Sequence, residues 1–208
     1  MNGPAASKGA ICRLIAAFAL VLAGCASAND PLDDYEQVAL LPAPDAPDAM
    51  AAGYPEERVE RGRYLVDLLS CGSCHTDGAL IGAPDKARLL AGSGVGIATS
   101  NPLKKSNPGV VYPSNLTPDP MTGIGDWTLE QVVTLLQSGA DKHGKQTLPV
   151  MPWLNYSRLH QEDAEAIAMY LKSIAPVEHR VPANVRPGQR ATSPFIHFGI
   201  YQSLQRSR

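Results

Sequence analysis

Residues 71–78 read CGSCHTDG: two cysteines three positions apart, with a histidine directly behind the second. A pair at this spacing serves three chemistries: a redox dithiol, half of a zinc site, or covalent attachment of haem. The rest of the chain has to choose between them.

The N-terminus comes off first. Lys8 and Arg13 precede an apolar run from Leu14 to Gly24, shorter than the ~20 residues a membrane-spanning helix needs. A basic start, a short apolar run and small residues at its end describe an export signal over residues 1–24. The run closes on LAGC, Leu22 to Cys25, which resembles the cleavage box of bacterial lipoproteins, where the cysteine becomes the first mature residue and carries lipid. The alternative is ordinary cleavage near Ala26–Ala28 and a soluble periplasmic protein. Ala26 stands where some lipoproteins carry an aspartate that retains them in the inner membrane.

Of 208 residues with a formal net charge of −2, the acids and bases are unevenly spread. Residues 25–55 hold six acids and no Lys or Arg, whereas residues 176–208 hold one acid and five arginines. Neither block is dense enough to point to nucleic acid. The stretch 25–52 is acidic and rich in Pro and Ala, too poor in apolar surface to fold alone, and reads as a linker lifting a domain off a membrane. Residues 178–208 form a basic C-terminal extension.

Cysteine usage narrows the choice. Cys12 leaves with the signal and Cys25 takes lipid, so Cys71 and Cys74 remain, in a compartment where thiols tend to oxidise. A structural zinc takes four protein ligands, and the sequence offers no second cysteine pair and no His-x₃₋₅-His. A thioredoxin-like dithiol sits in a βαβ setting, which the helical, Pro/Gly-rich surroundings do not provide. Cys-x-x-Cys-His is the signature of c-type haem attachment. Two thiols add to the two vinyl groups on one porphyrin edge, and His75 then reaches the iron. Export agrees with that reading.

The sixth iron position separates an electron carrier from a ligand binder. A methionine thioether there raises the potential. Met50 lies in the linker, and Met169 points away from the apolar stripe of its helix. Met121 follows TPDP in a turn-rich stretch, and Met151 lies in LPVMPW between Pro149 and Pro152. Prolines hold the backbone extended on both sides, so Met151 is the favoured ligand over Met121. His143, in the polar turn DKHGK, and His160 are lesser rivals.

Three helices can be read. Glu56–Leu69 carries Val59, Gly62, Leu65, Val66 and Leu69 on one face. A mid-helix glycine costs about 1 kcal/mol relative to alanine, so Gly62 is expected to admit another backbone or a ring. Its partner is the last helix, about Gln161–Ser173, with Ala164, Ile167, Ala168, Leu171 and Ile174 as its stripe and Tyr170 at the margin. In DWTLEQVVTLLQSG, Thr128 and Gln131 suit a capping box and Gly139 the C′ stop. The Gly/Pro/Ser/Asn-rich segment from Thr76 to Ile124 shows no sustained period, and a loop of that length needs a buried cofactor to pack on.

RGRYLVDLLSCGSCHT, YPSNLTPDPMTGIGDWT, LPVMPW and AEAIAMYLKSI, taken in order, resemble a class I type cytochrome c domain over roughly Gly53–Val177. The resemblance is nearest to the membrane-bound cytochrome c subunits of bacterial periplasmic dehydrogenases. It implies an all-α cytochrome c fold, helices and long loops wrapped around one covalently attached haem c. It also implies that Cys71 and Cys74 hold the haem, that His75 and Met151 ligate iron, and that the first and last helices cross at Gly62 and Tyr170. Asn115, Thr117 and Trp127 match family positions without an assigned role. NLT also fits a glycosylation acceptor, a reading of little weight in a protein that looks bacterial. Multi-domain family members carry three haem motifs and this chain one, and His160 stands where relatives place a better helix cap.

The expectation is a single-haem, lipid-anchored electron carrier on the periplasmic side of a bacterial membrane, not itself a catalyst. Its partners would be redox proteins: a dehydrogenase, another cytochrome or a terminal oxidase. The alternatives are a haem sensor or peroxidase-like protein with an open sixth position, and an obligate subunit of a dehydrogenase.

Overall fold

The computed structural model describes residues 41–46, 53–98, 107–144, 147 and 150–198. The export signal, Cys25, Met50 and the final ten residues lie outside these. Helix α1 spans Glu56–Leu68 and runs into a one-turn helix α2, Cys71–His75. A long loop follows, with 3₁₀ turns at Ala79–Ile81 and Lys86–Arg88 and a short strand β1, Gly96–Ala98. Helices α3 (Leu129–Ser138), α4 (Trp153–Tyr156) and α5 (Gln161–Ser173) complete the helical set, and β2 is Phe195–His197.

The core is the crossing of α1 with α5. Val59, Leu65 and Val66 of α1 meet Ala164, Ile167, Ala168 and Leu171 of α5, and Val132, Val133 and Leu136 of α3 close the third side. Each large apolar side chain buried this way contributes about 1.5–3 kcal/mol. Gly62 sits at the point of closest approach: a Cβ built there would stand 2.0 Å from the Ala166 carbonyl oxygen and 2.7 Å from the Tyr170 Cβ. The glycine admits a helix backbone, as expected. Tyr170 is not marginal but fully buried, its hydroxyl donating to the Pro44 carbonyl.

Local chemistry sets the helix ends. Thr128 Oγ1 accepts from Gln131 N at 3.2 Å and Gln131 Oε1 from Thr128 N at 3.0 Å, the reciprocal capping box. Gly139 stops α3 at φ 71°. His160 precedes α5 without a side-chain cap bond.

Two features depart from the sequence reading. The fold is not purely α: β1 and β2 pair in parallel with Ile97 opposite Ile196, and Val110 forms an antiparallel bridge to Val185. Ala98, Val110 and Tyr112 make a second small core, covered by Val185 and Ala191. Strand periodicity is illegible over three residues. The pairing is instead carried by the C-terminal extension, whose Asn184 side chain accepts from Tyr112 N at 2.8 Å and whose Ser193 carbonyl accepts from the Tyr112 hydroxyl at 3.0 Å. Residues 41–46, of linker composition, also lie on the helices: Ala43 is buried, its N–H donates to the Asp67 carboxylate, and Asp45 meets Arg63 at 3.3 Å.

Gly62→Ala tests the crossing. In an exposed helix this change stabilises by about 1 kcal/mol; here the methyl must displace a backbone carbonyl, and overpacking of this kind costs about 1–3 kcal/mol. A thermal melt followed by circular dichroism should show a lower midpoint, and a raised one would refute the close contact.

Candidate functional site

Helix α2 leaves α1 through a bend at Ser70, which adopts the left-handed conformation with φ 54°. Such a backbone is uncommon for a residue with a Cβ. It is held by Ser70 N donating to the Asp67 carbonyl at 2.9 Å and Ser73 N to the Ser70 carbonyl at 3.1 Å. The bend sets Cys71 and Cys74 on one face of the short helix, since positions three apart are neighbours there. Beyond the motif the chain is pinned again. Gly92 N donates to the His75 carbonyl at 2.8 Å, and Leu90 N to the hydroxyl of the buried Thr76 at 3.1 Å.

Both cysteines are half-buried and unpaired. Burial pushes the Cys71 thiol up to about 12, assisted by the neighbouring Cys74 and Asp67, and burial likewise raises Cys74. Dithiol redox enzymes depend on a depressed thiol pKa. Burial acts on these two sulfurs in the opposite direction.

His75 has a fixed direction. Its Nδ1 lies 2.7 Å from the Ser114 carbonyl oxygen. A carbonyl can only accept, so Nδ1 carries the proton and Nε2 keeps its lone pair. Burial lowers the His75 pKa, partly offset by the Ser114 bond, so the ring is neutral in the form that ligates a metal.

Met151 immediately precedes Pro152, the residue that leads into α4, and packs half-buried against the same apolar cluster as Cys71. Tyr156 of α4 links the two regions: its hydroxyl is pushed up to about 12 first by burial and then by Cys71 and Cys74. The alternatives lie elsewhere. Met121 is 75% exposed, His143 and His160 are exposed, and Met169 packs half-buried on the main core.

Three contributors were not identifiable from the motif. Ser114 acts through its main chain. Asn115, 1% exposed, donates from Nδ2 to Thr122 Oγ1 at 3.1 Å and to the Val177 carbonyl at 2.8 Å, and accepts at Oδ1 from Thr117 N at 2.9 Å and Thr117 Oγ1 at 2.8 Å. Thr122 Oγ1 in turn donates to Asp119 at 2.6 Å. Lys172 of α5 donates to the carbonyls of Ile124, Gly125 and Trp127 at 3.1, 2.7 and 3.0 Å, fastening GIGDW to the helix. The NLTPD and GIGDW stretches are thus structural ties, and only their presence was visible beforehand.

Among the described residues no three His, Cys, Asp or Glu side chains come together as a metal-binding group. One neutral imidazole beside two sulfurs of high pKa does not make a conventional metal cage. It does fit a ring that brings its own iron: two thiols on one helix face for thioether bonds, an imidazole whose Nδ1 is already engaged by Ser114, and a half-buried thioether on the same apolar cluster as Cys71.

No protein-family model matches the chain. It is 34% identical over 145 residues, 69% of this chain, to the fructose dehydrogenase cytochrome subunit of Gluconobacter japonicus. It is 35% identical over 130 residues, 62% of this chain, to the cytochrome c subunit of the quinone alcohol dehydrogenase of Gluconobacter oxydans. A gluconate 2-dehydrogenase cytochrome c subunit of Pantoea cypripedii is 32% identical over 57% of the chain. The alignments take in 26%, 24% and 24% of these relatives, so the chain spans about a quarter of their length. The relatives are cytochrome c subunits of bacterial dehydrogenases, as the motifs implied.

Proposed function

We propose that this protein transfers electrons, one at a time, through a single covalently attached haem c whose iron His75 and Met151 would ligate, and that its donor is a dehydrogenase. The observation that carries the proposal is the His75 Nδ1–H donating to the Ser114 carbonyl at 2.7 Å, which leaves Nε2 free directly behind a cysteine pair. The relatives support the same class of role, being electron-transfer subunits rather than catalytic ones. Haem c, when bound, supplies an iron that alternates between ferric and ferrous states.

The chain's own residues do the rest. Cys71 and Cys74 would hold the ring through thioether bonds. His75 is held neutral and in one tautomer. Met151 supplies a soft sulfur that favours the ferrous state. Val59, Leu65, Val66 and their partners on α5 make the apolar core against which Cys71 and Met151 pack. In this scheme the chemistry belongs to the cofactor and its partner. Lipid on Cys25 would hold the domain at the periplasmic face of a membrane, with the acidic stretch from 26 as its tether.

Haem staining after denaturing electrophoresis tests the attachment: the wild type should stain, each of Cys71→Ala and Cys74→Ala should stain less, and the double variant not at all. A double variant that stains would remove the basis of the proposal.

Met151→Ala should lower the midpoint potential, abolish the sulfur-to-iron absorption band of the oxidised protein and let carbon monoxide bind, whereas Met121→Ala should leave all three unchanged. The reverse pattern would assign the ligand to Met121. A wild type that already binds carbon monoxide freely would favour a sensor or peroxidase-like role.

Anchoring is read by metabolic labelling with a fatty acid. The wild type should take label and Cys25→Ser should not; an unlabelled wild type would instead indicate a soluble periplasmic protein. Stable attachment takes more than one acyl chain, each buried CH₂ contributing about 0.8 kcal/mol.

A further inference from the structure

We propose that Asn115 is a positioning residue for His75: its buried amide fixes the Ser114–Asn115 peptide, and thereby the carbonyl that accepts the imidazole proton. The inference rests on the reading of His75 as the iron ligand.

The Ser114 carbonyl and the Asn115 nitrogen share one rigid peptide plane, so whatever holds Asn115 aims the carbonyl. Ser114 itself is exposed and cannot do this by packing. Two backbone bonds flank the spot, Ser93 N to the Pro113 carbonyl at 3.0 Å and Leu116 N to the Leu90 carbonyl at 2.9 Å. Both tie the segment to residues 90–93, which the Gly92 N–His75 carbonyl and Leu90 N–Thr76 hydroxyl bonds fasten to the motif, so they hold the main chain on the side of α2. The Asn115 side chain adds the ties on the other side. Through the Val177 carbonyl it reaches the end of α5, where Ile174 is buried in the main core. Through Thr117 it is bound a second time to the same residue, Val177 N donating to Thr117 Oγ1 at 3.1 Å. Through Thr122 it reaches the Asp119 turn.

The amide makes two donor and two acceptor contacts, its full capacity. No other side chain has the same reach in both directions: aspartate would lose the two donors, and leucine all four contacts. A site ligand held by an outer group that is itself held on rigid elements keeps its geometry.

The consequence lies in the ligand's basicity. An Nδ1–H that donates to a well-aimed carbonyl makes the imidazole a stronger electron donor, which favours the ferric state. Loosening the carbonyl weakens that donation.

The test uses the haem-loaded protein, labelled with ¹⁵N-histidine. Asn115→Ala should raise the midpoint potential. It should also speed solvent exchange of the His75 Nδ1–H on the order of tenfold, as loss of about one hydrogen bond's net free energy predicts. Lys172→Met is the comparison: it removes the ammonium that donates to the carbonyls of Ile124, Gly125 and Trp127 and should lower the melting temperature, but should move neither readout. If Asn115→Ala lowers the melting temperature while potential and exchange stay at wild-type values, Asn115 is only structural and the inference is wrong.

Should Asn115→Ala fail to fold, Thr117→Val decides. It removes one acceptor contact of Asn115 and the second tie to Val177, and should shift both readouts in the same direction by less; no shift overturns the inference. A wild type without attached haem would instead overturn the reading of the site on which the inference stands.

Discussion

The contact on which the structure depends is between the backbones of two helices. At Gly62 the α1 chain comes so near the Ala166 carbonyl that no side chain can stand between them. Everything that shapes the site is hung on that crossing. The bend at Ser70 projects α2 from the end of α1, and Lys172 and Val177 at the far end of α5 receive the loop that returns over it. A glycine here gives up about 1 kcal/mol of helix propensity in return for a joint whose two sides are rigid. A cofactor site built on loops alone would not have such a reference.

The helices could be read from the sequence because their signals are local. The apolar stripes of Glu56–Leu68 and Gln161–Ser173, the Thr128–Gln131 box and the Gly139 stop each lie within a few turns of chain. The Cys-x-x-Cys-His motif is local for the same reason: its geometry is that of one helical turn. What escaped the sequence is what acts across distance. The partner of His75 is a main-chain oxygen 39 residues away, which has no residue type to recognise. The Asn115 contacts to Val177 cross 62 residues, and Tyr112 reaches Ser193 across 81. The all-α expectation missed β1 and β2 because three-residue strands, nearly a hundred positions apart, have no periodicity to display.

The extension after α5 therefore belongs to the architecture of the loop rather than trailing from it. His179 Nδ1 donates to the Ala91 carbonyl at 2.8 Å and His179 N to Thr122 Oγ1 at 3.0 Å. Ala91 and Thr122 lie on either side of Ser114 in sequence, so one residue of the extension grips both limbs of the segment that faces His75. Residues 41–46 likewise tie α1 and α5 together, through Asp67, Arg63 and Tyr170. The relatives hold domains of this kind within chains about four times the aligned length, and here the flanking segments cover surfaces of one domain.

The turn at Asp119 has its own response to acid. That carboxylate accepts from Thr122 Oγ1 and Thr122 N, both at 2.6 Å, and from Met121 N at 3.1 Å, and these bonds, the Thr122 hydroxyl first among them, hold its pKa below the usual value. A group whose pKa is lower folded than unfolded stabilises the fold in full above its unfolded pKa, and loses that contribution only as the pH falls through the folded one. Since the unfolded value is about 3.9, the turn is indifferent to proton concentration through the neutral and mildly acidic range. Below that range the protonated carboxyl holds the Thr122 hydroxyl less strongly, and Thr122 is the residue that accepts from Asn115 Nδ2.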